Sequence, residues 1–422
     1  SGDPGDVVAA STVGVVDFAQ LDSGSGTTKM NLVLGKTDTF FNTTVNASPN
    51  ECSLLIAERH EHSATALGDG RVFLAGGVRQ NVDTTTYWET TELYDPIAGV
   101  FRQAEPMAWM RRGHTASALD DGRVLLVGGL FYSTASDGDP DEQTWVVAHL
   151  FDSRAGDFKT PVKMLAARAY HTATKLADGR VLIIGGRFEG NALASSEIFD
   201  PATNTSVAGP TLSNARYNHV AIRIAASTVA VLGGHSENGA LDSVEFLTAG
   251  DTLSVLASGR LAQARTHAVG ALVGNAEALL IAGGFADTPT RPEMGQGLAS
   301  IELFGINRSD LESSAGLCTG TEMAMNNSRG YSSAHEVEDG LLVIGGLDQS
   351  GTILKTAEIL NVADLESCQI SATPTRGSLS HARAGAVLSE LIGGDVLVTG
   401  GVGFDGSRIV SVAQPEIYVV PR

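Results

Sequence analysis

Seven arginines recur along the chain, each just before a short strand-like run, and they are the first residues whose spacing suggests chemistry. A guanidinium group binds carboxylates and sulfates through paired hydrogen bonds. Each repeat except the second also carries a later glutamate that could pair with its arginine. Structural pairing is the favoured interpretation, because the pattern recurs in every repeat whereas a ligand site needs only a few residues. The arginines are Arg59, Arg111, Arg168, Arg216, Arg265, Arg329 and Arg383. The glutamates are Glu92, Glu197, Glu245, Glu302, Glu358 and Glu416, with His149 in the second repeat.

The segment Arg59-His60-Glu61-His62 is the densest cluster of functional groups in the chain. Alternate residues of a strand share one face, so His60 and His62 are expected to point the same way. Two histidines supply half of a metal site, and no third ligand can be named, so we predict no metal. His60 and Glu61 remain candidate ligand-binding residues.

These residues lie within a repeat that is marked by seven Gly-Gly pairs, 48 to 62 residues apart. In the third repeat, Asp178-Gly179 predicts a tight hairpin turn. The apolar run Val181–Ile184 predicts a strand buried on both faces. Gly-Gly then indicates a close approach of two backbones, where a Cβ would clash. Two further strands complete a four-stranded antiparallel unit, and seven such units predict an all-β, seven-bladed β-propeller. The pairs begin at Gly76, Gly128, Gly185, Gly233, Gly283, Gly345 and Gly400.

The repeat resembles that of the kelch family of propellers, which carries Gly-Gly after the second strand of each four-stranded blade. The resemblance covers roughly Arg59 to the C-terminus. The low-lysine, Gly/Ala-rich composition favours a bacterial protein of the secreted or surface type. In some kelch propellers, arginines at this position lie near the mouth of the central channel and bind acidic groups of a partner. The resemblance therefore makes all seven arginines candidate ligand-binding residues for a carboxylate, a sulfate or an acidic peptide.

Five histidines are interpreted as equivalent positions in successive blades. Blades are spread around the channel, whereas zinc needs donors at about 2.0–2.1 Å. We therefore expect these histidines to pack and to form hydrogen bonds between blades. They are His62, His114, His171, His219 and His267.

The last blade is incomplete, because only one strand, Glu416–Val420, follows Gly400-Gly401. A strand near residues 39–45 is predicted to supply its outer edge and close the ring, since an unpaired sheet edge is a liability. This divides the chain into an N-terminal extension, residues 1–36, and a propeller, residues 37–422, whose blades start near the seven arginines.

The composition limits which classes of partner and which cellular location are expected. The net charge of −20 and the pI near 4.8 make nucleic acid an unexpected partner. No apolar run is long enough to span a membrane, and a lipid anchor upstream of Ser1 is one alternative. Of three cysteines, Cys318 and Cys368 lie in corresponding outer regions of neighbouring repeats, which allows a disulfide. The expected location is extracellular, on the cell surface or periplasmic.

Cofactors are not expected, although Asp137-Gly-Asp139-Pro-Asp141-Glu142 loosely resembles a calcium loop. The cysteines are not placed for a copper-radical oxidase. Glu58 or Glu61 beside Arg59 could act as the base of a mutarotase or epimerase. No nucleophile elbow, phosphate loop or zinc-protease motif is present.

The favoured function is non-enzymatic recognition of a protein, a glycan or an acidic ligand by loops and the channel mouth on one face. The two longest insertions, Leu130–Trp145 and Phe285–Ala299, are the predicted specificity loops. The alternatives are a secreted or periplasmic carbohydrate-active enzyme, of the mutarotase or oxidase type, and a structural subunit of a surface assembly.

Overall fold

The structure is a computed structural model of the 422-residue chain. It describes residues 38–42, 54–81, 84–134, 140–250, 253–286, 297–307, 310–317, 323–365, 367–405 and 408–421. The proposed N-terminal extension, residues 1–36, lies outside this part of the chain. The described residues contain no α-helix, and hence no helix with the length and apolar character needed to cross a membrane.

Seven antiparallel sheets form the blades of a β-propeller, as the sequence predicted. The innermost strands of neighbouring blades lie side by side from blade 1 to blade 7, and blade 7 returns to blade 1. Blade 1 contains Ser63–Ala66, Val72–Ala75, Thr91–Asp95 and Val100–Ala104. Blade 2 contains Thr115–Ala118, Arg123–Val127, Val147–Asp152 and the short outer strands Asp157–Phe158 and Val162–Lys163. Blade 3 contains Thr172–Lys175, Val181–Ile184, Ser196–Asp200 and Thr205–Ala208.

The remaining blades follow the same order from the channel outwards. Blade 4 contains Val220–Arg223, Thr228–Leu232, Ser243–Ala249 and Leu253–Arg260. Blade 5 contains Val269–Val273, Ala278–Ala282 and Ile301–Gly305, and a 3-10 turn at Leu311–Ser313 follows. Blade 6 contains Ser333–Val337, Gly340–Ile344, Ala357–Asp364 and Gln369–Pro374. Blade 7 contains Val387–Glu390, Val396–Thr399, Glu416–Val419 and Thr39–Asn42.

Five blades carry a small hairpin directly after Gly-Gly. Because each hairpin joins the second strand to the third, all five extend from the face of the propeller where the innermost strands begin. We call this the hairpin face. The hairpins are Val78–Gln80 with Thr85–Tyr87, Leu130–Thr134 with Pro140–Thr144, Arg187–Phe188 with Asn191–Ala192, His235–Ser236 with Gly239–Ala240, and Val402–Asp405 with Arg408–Ser411.

The hydrophobic core is divided among the junctions between blades. The apolar residues of the second strand in each blade are buried, as the sequence predicted. Side chains of neighbouring blades pack together in seven clusters, one at each junction. Between blades 1 and 2, for example, Phe73 stacks on Phe151 with ring centroids 4.1 Å apart. Burial of apolar surface at every junction thus stabilises the ring as a whole.

The Gly-Gly pairs join each blade to the next. Gly128 has φ +59°, and a Cβ on it would lie 2.1 Å from the carbonyl oxygen of Arg168 in the following blade. The N–H of Gly129 donates a 2.8 Å hydrogen bond to that same carbonyl. Equivalent bonds continue around the ring and end at Gly401, whose N–H donates to the carbonyl of Arg59 at 3.2 Å. Only glycine fits this approach, which explains the repeat.

The ring closes as the sequence predicted. Strand Thr39–Asn42 pairs antiparallel with Glu416–Val419, in the register Thr39↔Val419 to Asn42↔Glu416. The Tyr418 hydroxyl donates a 2.8 Å hydrogen bond to the carboxylate of Asp38. The rest of the predicted segment, residues 43–45, lies outside the described residues.

Candidate functional site

The seven repeat arginines are structural in their contacts. Each is at most 1% exposed, and each donates a hydrogen bond from Nη1 to the carbonyl of the first glycine of its own Gly-Gly pair. The expected ion pairs form in six blades. They are Arg59–Glu92, Arg168–Glu197, Arg216–Glu245, Arg265–Glu302, Arg329–Glu358 and Arg383–Glu416. The ring of anion-binding arginines that the resemblance implied therefore has no accessible guanidinium group.

Each glutamate of these pairs also fastens the chain that enters the blade. Glu92 accepts hydrogen bonds from the backbone N–H groups of Ile56 and Ala57, at 2.9 and 3.0 Å. Equivalent contacts recur at the other five glutamates. We call this arrangement of arginine, glutamate and backbone the blade clamp.

Blade 2 lacks the carboxylate of the blade clamp. His149 takes its position, and its Nδ1 lies 2.9 Å from Nη2 of Arg111. Burial without a carboxylate partner lowers the pKa of Arg111 to about 9. Burial, reinforced by the charge of Arg111, lowers the pKa of His149 to about 3, so the imidazole is neutral.

Four of the five repeat histidines form the expected hydrogen bonds between blades. His62 Nε2 lies 3.0 Å from the hydroxyl of Thr399, and His114, His171 and His219 make the same contact with Ser63, Thr115 and Thr172. The equivalence of His267 was wrong. Only one residue separates it from Arg265, so Ala268 occupies the position of the other four and packs against Gly284.

His267 belongs instead to a ring of residues that stand two places after each arginine. All seven have a left-handed backbone, with φ between +50° and +63°. Five of their N–H groups donate a hydrogen bond to the carbonyl of the equivalent residue in the preceding blade, at 2.8 to 3.2 Å. Non-glycine residues rarely adopt this conformation, and clusters of such residues are a mark of functional sites. They are Glu61, Gly113, Tyr170, Asn218, His267, Tyr331 and Gly385.

The side chains of this ring meet across the channel. The Glu61 carboxylate accepts a hydrogen bond from the Tyr170 hydroxyl at 3.0 Å and from Arg112 Nη1 at 3.2 Å, and the Tyr331 hydroxyl lies 3.5 Å away. The His267 ring packs against Tyr331 with centroids 5.1 Å apart. These five residues, which we call the axial cluster, come from blades 1, 2, 3, 5 and 6. They form a floor across the channel.

The axial cluster fixes the charge of Glu61. Burial alone would raise the pKa of its carboxyl, but the charge of Arg112 and the hydrogen bond from Tyr170 outweigh burial and hold that pKa below its usual value. Burial, with the nearby charge of Glu61, raises the pKa of Tyr170 and Tyr331. Burial lowers the pKa of His267 to about 4. At neutral pH the floor therefore contains one carboxylate, one guanidinium, two phenols and a neutral imidazole.

Above this floor, aromatic and charged side chains of the hairpins form the rim of the mouth. The Arg112 guanidinium lies 5.8 Å from the ring centroid of Tyr87 and 5.6 Å from that of Tyr132, which is cation–π distance. The Tyr132 hydroxyl donates a 2.7 Å hydrogen bond to Glu142, whose carboxylate also pairs with Arg187 at 3.1 Å. A cleft of about 640 Å³ continues outwards between the hairpins of blades 2 and 3.

The mouth is asymmetric. In blade 4, Tyr217 and His235 lie edge to face at 5.0 Å, and in blade 1 His60 Nδ1 lies 3.1 Å from the hydroxyl of Ser411. Directly after Gly-Gly, blades 3 and 4 carry the partly exposed Arg187 and His235, whereas the residue at this position in blades 1, 2, 5 and 6 is apolar and almost completely buried. Together with Tyr87 and Tyr132 in the hairpins of blades 1 and 2, these partly exposed groups lie over blades 1 to 4.

Tyrosine is concentrated at this site. The chain has seven tyrosines. Two, Tyr94 and Tyr418, are buried in the blades. The other five line the floor or the rim of the mouth: Tyr87, Tyr132, Tyr170, Tyr217 and Tyr331.

A column of four stacked rings supports the hairpin of blade 2. Phe131 stacks on Trp145 at 5.2 Å, Trp145 on Trp109 at 5.1 Å, and Trp109 on His149 at 5.1 Å. Trp145 also donates a 3.0 Å hydrogen bond from its indole to the carbonyl of Met110. We call these four rings the aromatic column.

Of the residues proposed from sequence, Glu61 and His60 lie at the mouth, whereas the seven arginines lie beneath it. The predicted loop Leu130–Trp145 contributes Tyr132 and Glu142. The second, Phe285–Ala299, is described only in part, because residues 287–296 lie outside the described ranges. Reasoning from sequence missed Arg112 and the tyrosines. The available signal was their position, one or two places after a repeat arginine or within a hairpin.

Only part of the proposed calcium loop lies within the described residues. Asp137 and Asp139 lie outside the described residues, and Glu142 is engaged by Tyr132 and Arg187. Within the described ranges, no three His, Cys, Asp or Glu side chains are grouped so as to hold a metal.

Comparison with known proteins supports the fold. No family model and no curated protein matches the chain. Among solved structures, the chain is similar to that titled "Structure of YjhT", with 13% sequence identity and a TM-score of 0.53. The alignment covers 76% of this chain and 99% of the other. At that identity the similarity shows a shared β-propeller fold and nothing about activity.

Proposed function

We propose that this protein is a kelch-like, non-enzymatic recognition propeller that binds a saccharide at the mouth of its hairpin face. The observation that carries the proposal is the concentration of five of the seven tyrosines at the mouth. A tyrosine offers a rigid apolar face and a hydroxyl that both donates and accepts hydrogen bonds. A sugar ring offers C–H groups on its faces and hydroxyls around its edge, so the two surfaces are complementary.

The charges at the mouth favour an uncharged ligand over an acidic one. Arg112 is paired with Glu61, and Arg187 with Glu142. An acidic peptide would have to displace one of these internal carboxylates, with the cost of leaving that carboxylate unpaired. Hydroxyl groups can instead share the free lone pairs of the same carboxylates without separating either pair. The adjoining cleft of about 640 Å³ is within the range of small-molecule sites.

A carbohydrate-active enzyme at the same mouth is the second candidate. The contacts of Glu61 with Tyr170 and Tyr331 favour it, because a carboxylate and two phenols can exchange protons with a sugar. The depressed pKa of Glu61 argues for the binding function, since a general base works best with a pKa near the operating pH. Glu61 in this state is a hydrogen-bond acceptor of fixed charge.

A glycan array tests the proposal. We expect the wild-type protein to bind a restricted set of glycans, and Glu61→Gln and Tyr217→Ala each to weaken binding about tenfold. Glu58→Gln is the matched control, because Glu58 is three residues away on the same face and pairs with Arg79 on the surface. An array without hits, or hits unchanged by both variants, would refute the proposal. Chemical conversion of a bound sugar, observed by NMR and lost in Glu61→Gln, would establish the enzyme instead.

The cysteines bear on the compartment. Cys368 is disulfide-bonded. Structural disulfides persist in oxidising surroundings, which supports the proposal that the protein works outside the cytoplasm, in the periplasm, on the cell surface or in the medium.

A further inference from the structure

Blade 2 departs from the other clamped blades at one residue, and that departure lies beneath the hairpin that carries Tyr132. Six blades place a glutamate against the repeat arginine, whereas blade 2 places His149 there. Because blade 2 has a histidine here, it lacks the carboxylate that would neutralise Arg111, a fully buried cation. An uncompensated buried charge is unfavourable, so a histidine here needs another explanation.

The histidine ring provides a contact that a glutamate would not. Its imidazole is 1% exposed and stacks on Trp109 with an interplanar angle of 16°. Trp109 is the residue whose counterpart in blade 3, Ala166, donates its backbone N–H to Glu197. In the other blades, the chain segment that enters the blade is held by hydrogen bonds to the glutamate. In blade 2 the same segment is held by the stacking of Trp109 on His149.

The stack extends from His149 to the ligand face. Trp109 contacts Trp145, and Trp145 contacts Phe131 in the first strand of the hairpin. The next residue is Tyr132, which packs on Arg112 and donates to Glu142. A buried ring at position 149 is therefore connected by successive stacked rings to the rim of the mouth.

We infer that His149 is a positioning residue: its ring completes the aromatic column, and the column fixes the hairpin that carries Tyr132 and Glu142. The cost is the loss of the glutamate, and so of the blade clamp, in blade 2. The inference rests on the proposed function, because it assigns part of the ligand affinity to this hairpin. It adds that the hairpin of blade 2 is held in its binding conformation before the ligand arrives, which reduces the entropic cost of binding.

Three substitutions separate positioning from stability. His149→Glu supplies a carboxylate to Arg111 but removes the ring. The melting temperature of this variant should match or exceed that of the wild type. Its affinity for a glycan identified on the array should fall about fivefold, which is the effect of losing one aromatic pair. His149→Asn keeps a hydrogen-bond acceptor and removes the ring, and should show the same loss of affinity. His149→Phe keeps the ring and removes the acceptor, so its melting temperature should fall while affinity is retained.

Hydrogen exchange of peptides covering residues 130–145 provides a measurement that needs no ligand. We expect faster exchange in His149→Glu and His149→Asn than in His149→Phe. Equal exchange in all three variants, or affinity that simply follows the melting temperature, would overturn the positioning role. If no glycan binds but the exchange pattern holds, the proposed function fails and the positioning of the hairpin stands.

Discussion

The Tyr170 hydroxyl donates a 3.0 Å hydrogen bond to the carboxylate of Glu61, a residue 109 positions earlier in the chain and two blades away. The Tyr331 hydroxyl of blade 6 lies 3.5 Å from the same carboxylate, across the junction where blade 7 meets blade 1, so the full set of contacts exists only when the ring has closed. The floor of the mouth thus forms only in the intact propeller. The proposed binding site is therefore a product of ring closure and cannot be assembled by any one blade.

The first prediction concerns the charge on Glu61. We expect Glu61→Gln to lower the stability at neutral pH by about 2 kcal/mol, the effect of weakening charged hydrogen bonds. The folded pKa of Glu61 is depressed, so its stabilising effect is present above the unfolded pKa and is lost as the pH falls through the folded pKa. The difference in melting temperature between wild type and variant should thus shrink towards acid pH.

Thermal unfolding followed between pH 8 and pH 3 measures this difference. Glu58→Gln, at a half-exposed position on the same face, should change the melting temperature little at any pH. If Glu61→Gln lowers the melting temperature equally across this pH range, the neighbours of Glu61 do not lower the pKa of its carboxyl.

The second prediction compares two glycines that share a left-handed backbone. Gly400 has φ +59° and Gly394 has φ +85°, so alanine is strained at either position. A Cβ on Gly400 would lie 2.2 Å from the carbonyl oxygen of Arg59, whereas a Cβ on Gly394 meets nothing within 4 Å. Gly394→Ala should cost about 1–2 kcal/mol from backbone strain alone. Gly400→Ala should cost clearly more, because it also forces blades 7 and 1 apart.

Soluble yield and melting temperature of the two variants provide the comparison. Equal losses would mean that the close approach of Gly400 to Arg59 does not hold the ring together.

The fold was predictable because one steric requirement recurs seven times. At each junction the carbonyl of an arginine such as Arg168 approaches the preceding Gly-Gly so closely that only glycine fits, and this requirement leaves a visible period in the sequence. Ring closure followed from the same count, since blade 7 lacked one strand. The clamps followed from the regular spacing of arginine and glutamate.

The site was predictable only in part, because its residues share a backbone conformation and not a chemical type. Glu61, Tyr170 and Tyr331 occupy the same left-handed position in different blades. Nothing in one glutamate and two tyrosines marks them as neighbours until the ring brings them together. His267 shows the same limit, since its imidazole suggested the position of His62 whereas its spacing from Arg265 places it with Glu61.

The third prediction tests the strand that closes the ring. Removal of residues 1–36 leaves Asp38 and the strand Thr39–Asn42 in place, so the melting temperature of the propeller should change little. Removal of residues 1–47 also deletes that strand and exposes the edge of Glu416–Val419. We expect a marked fall in melting temperature and a tendency to aggregate, because the edge would be unpaired. Similar melting of the two truncated proteins would contradict closure by this strand.

The last prediction concerns the disulfide of Cys368. Its Sγ lies 3.9 Å from the carbonyl oxygen of Leu317, the residue that precedes Cys318. Cys318 and Cys52 both lie outside the described residues, and this proximity favours Cys318 as the partner. Such a bond would fasten the segment that follows the third strand of blade 5 to the outer turn of blade 6. Peptide mapping without reduction should recover Cys318 joined to Cys368, with Cys52 free to react with an alkylating reagent.

The stability of cysteine variants completes this test. Cys318→Ser and Cys368→Ser should each destabilise the protein by about 2–4 kcal/mol, and the double variant by no more than either one, because a single bond is lost in all three. Cys52→Ser is the control and should melt like the wild type. A large effect of Cys52→Ser together with no effect of Cys318→Ser would assign the bond to Cys52.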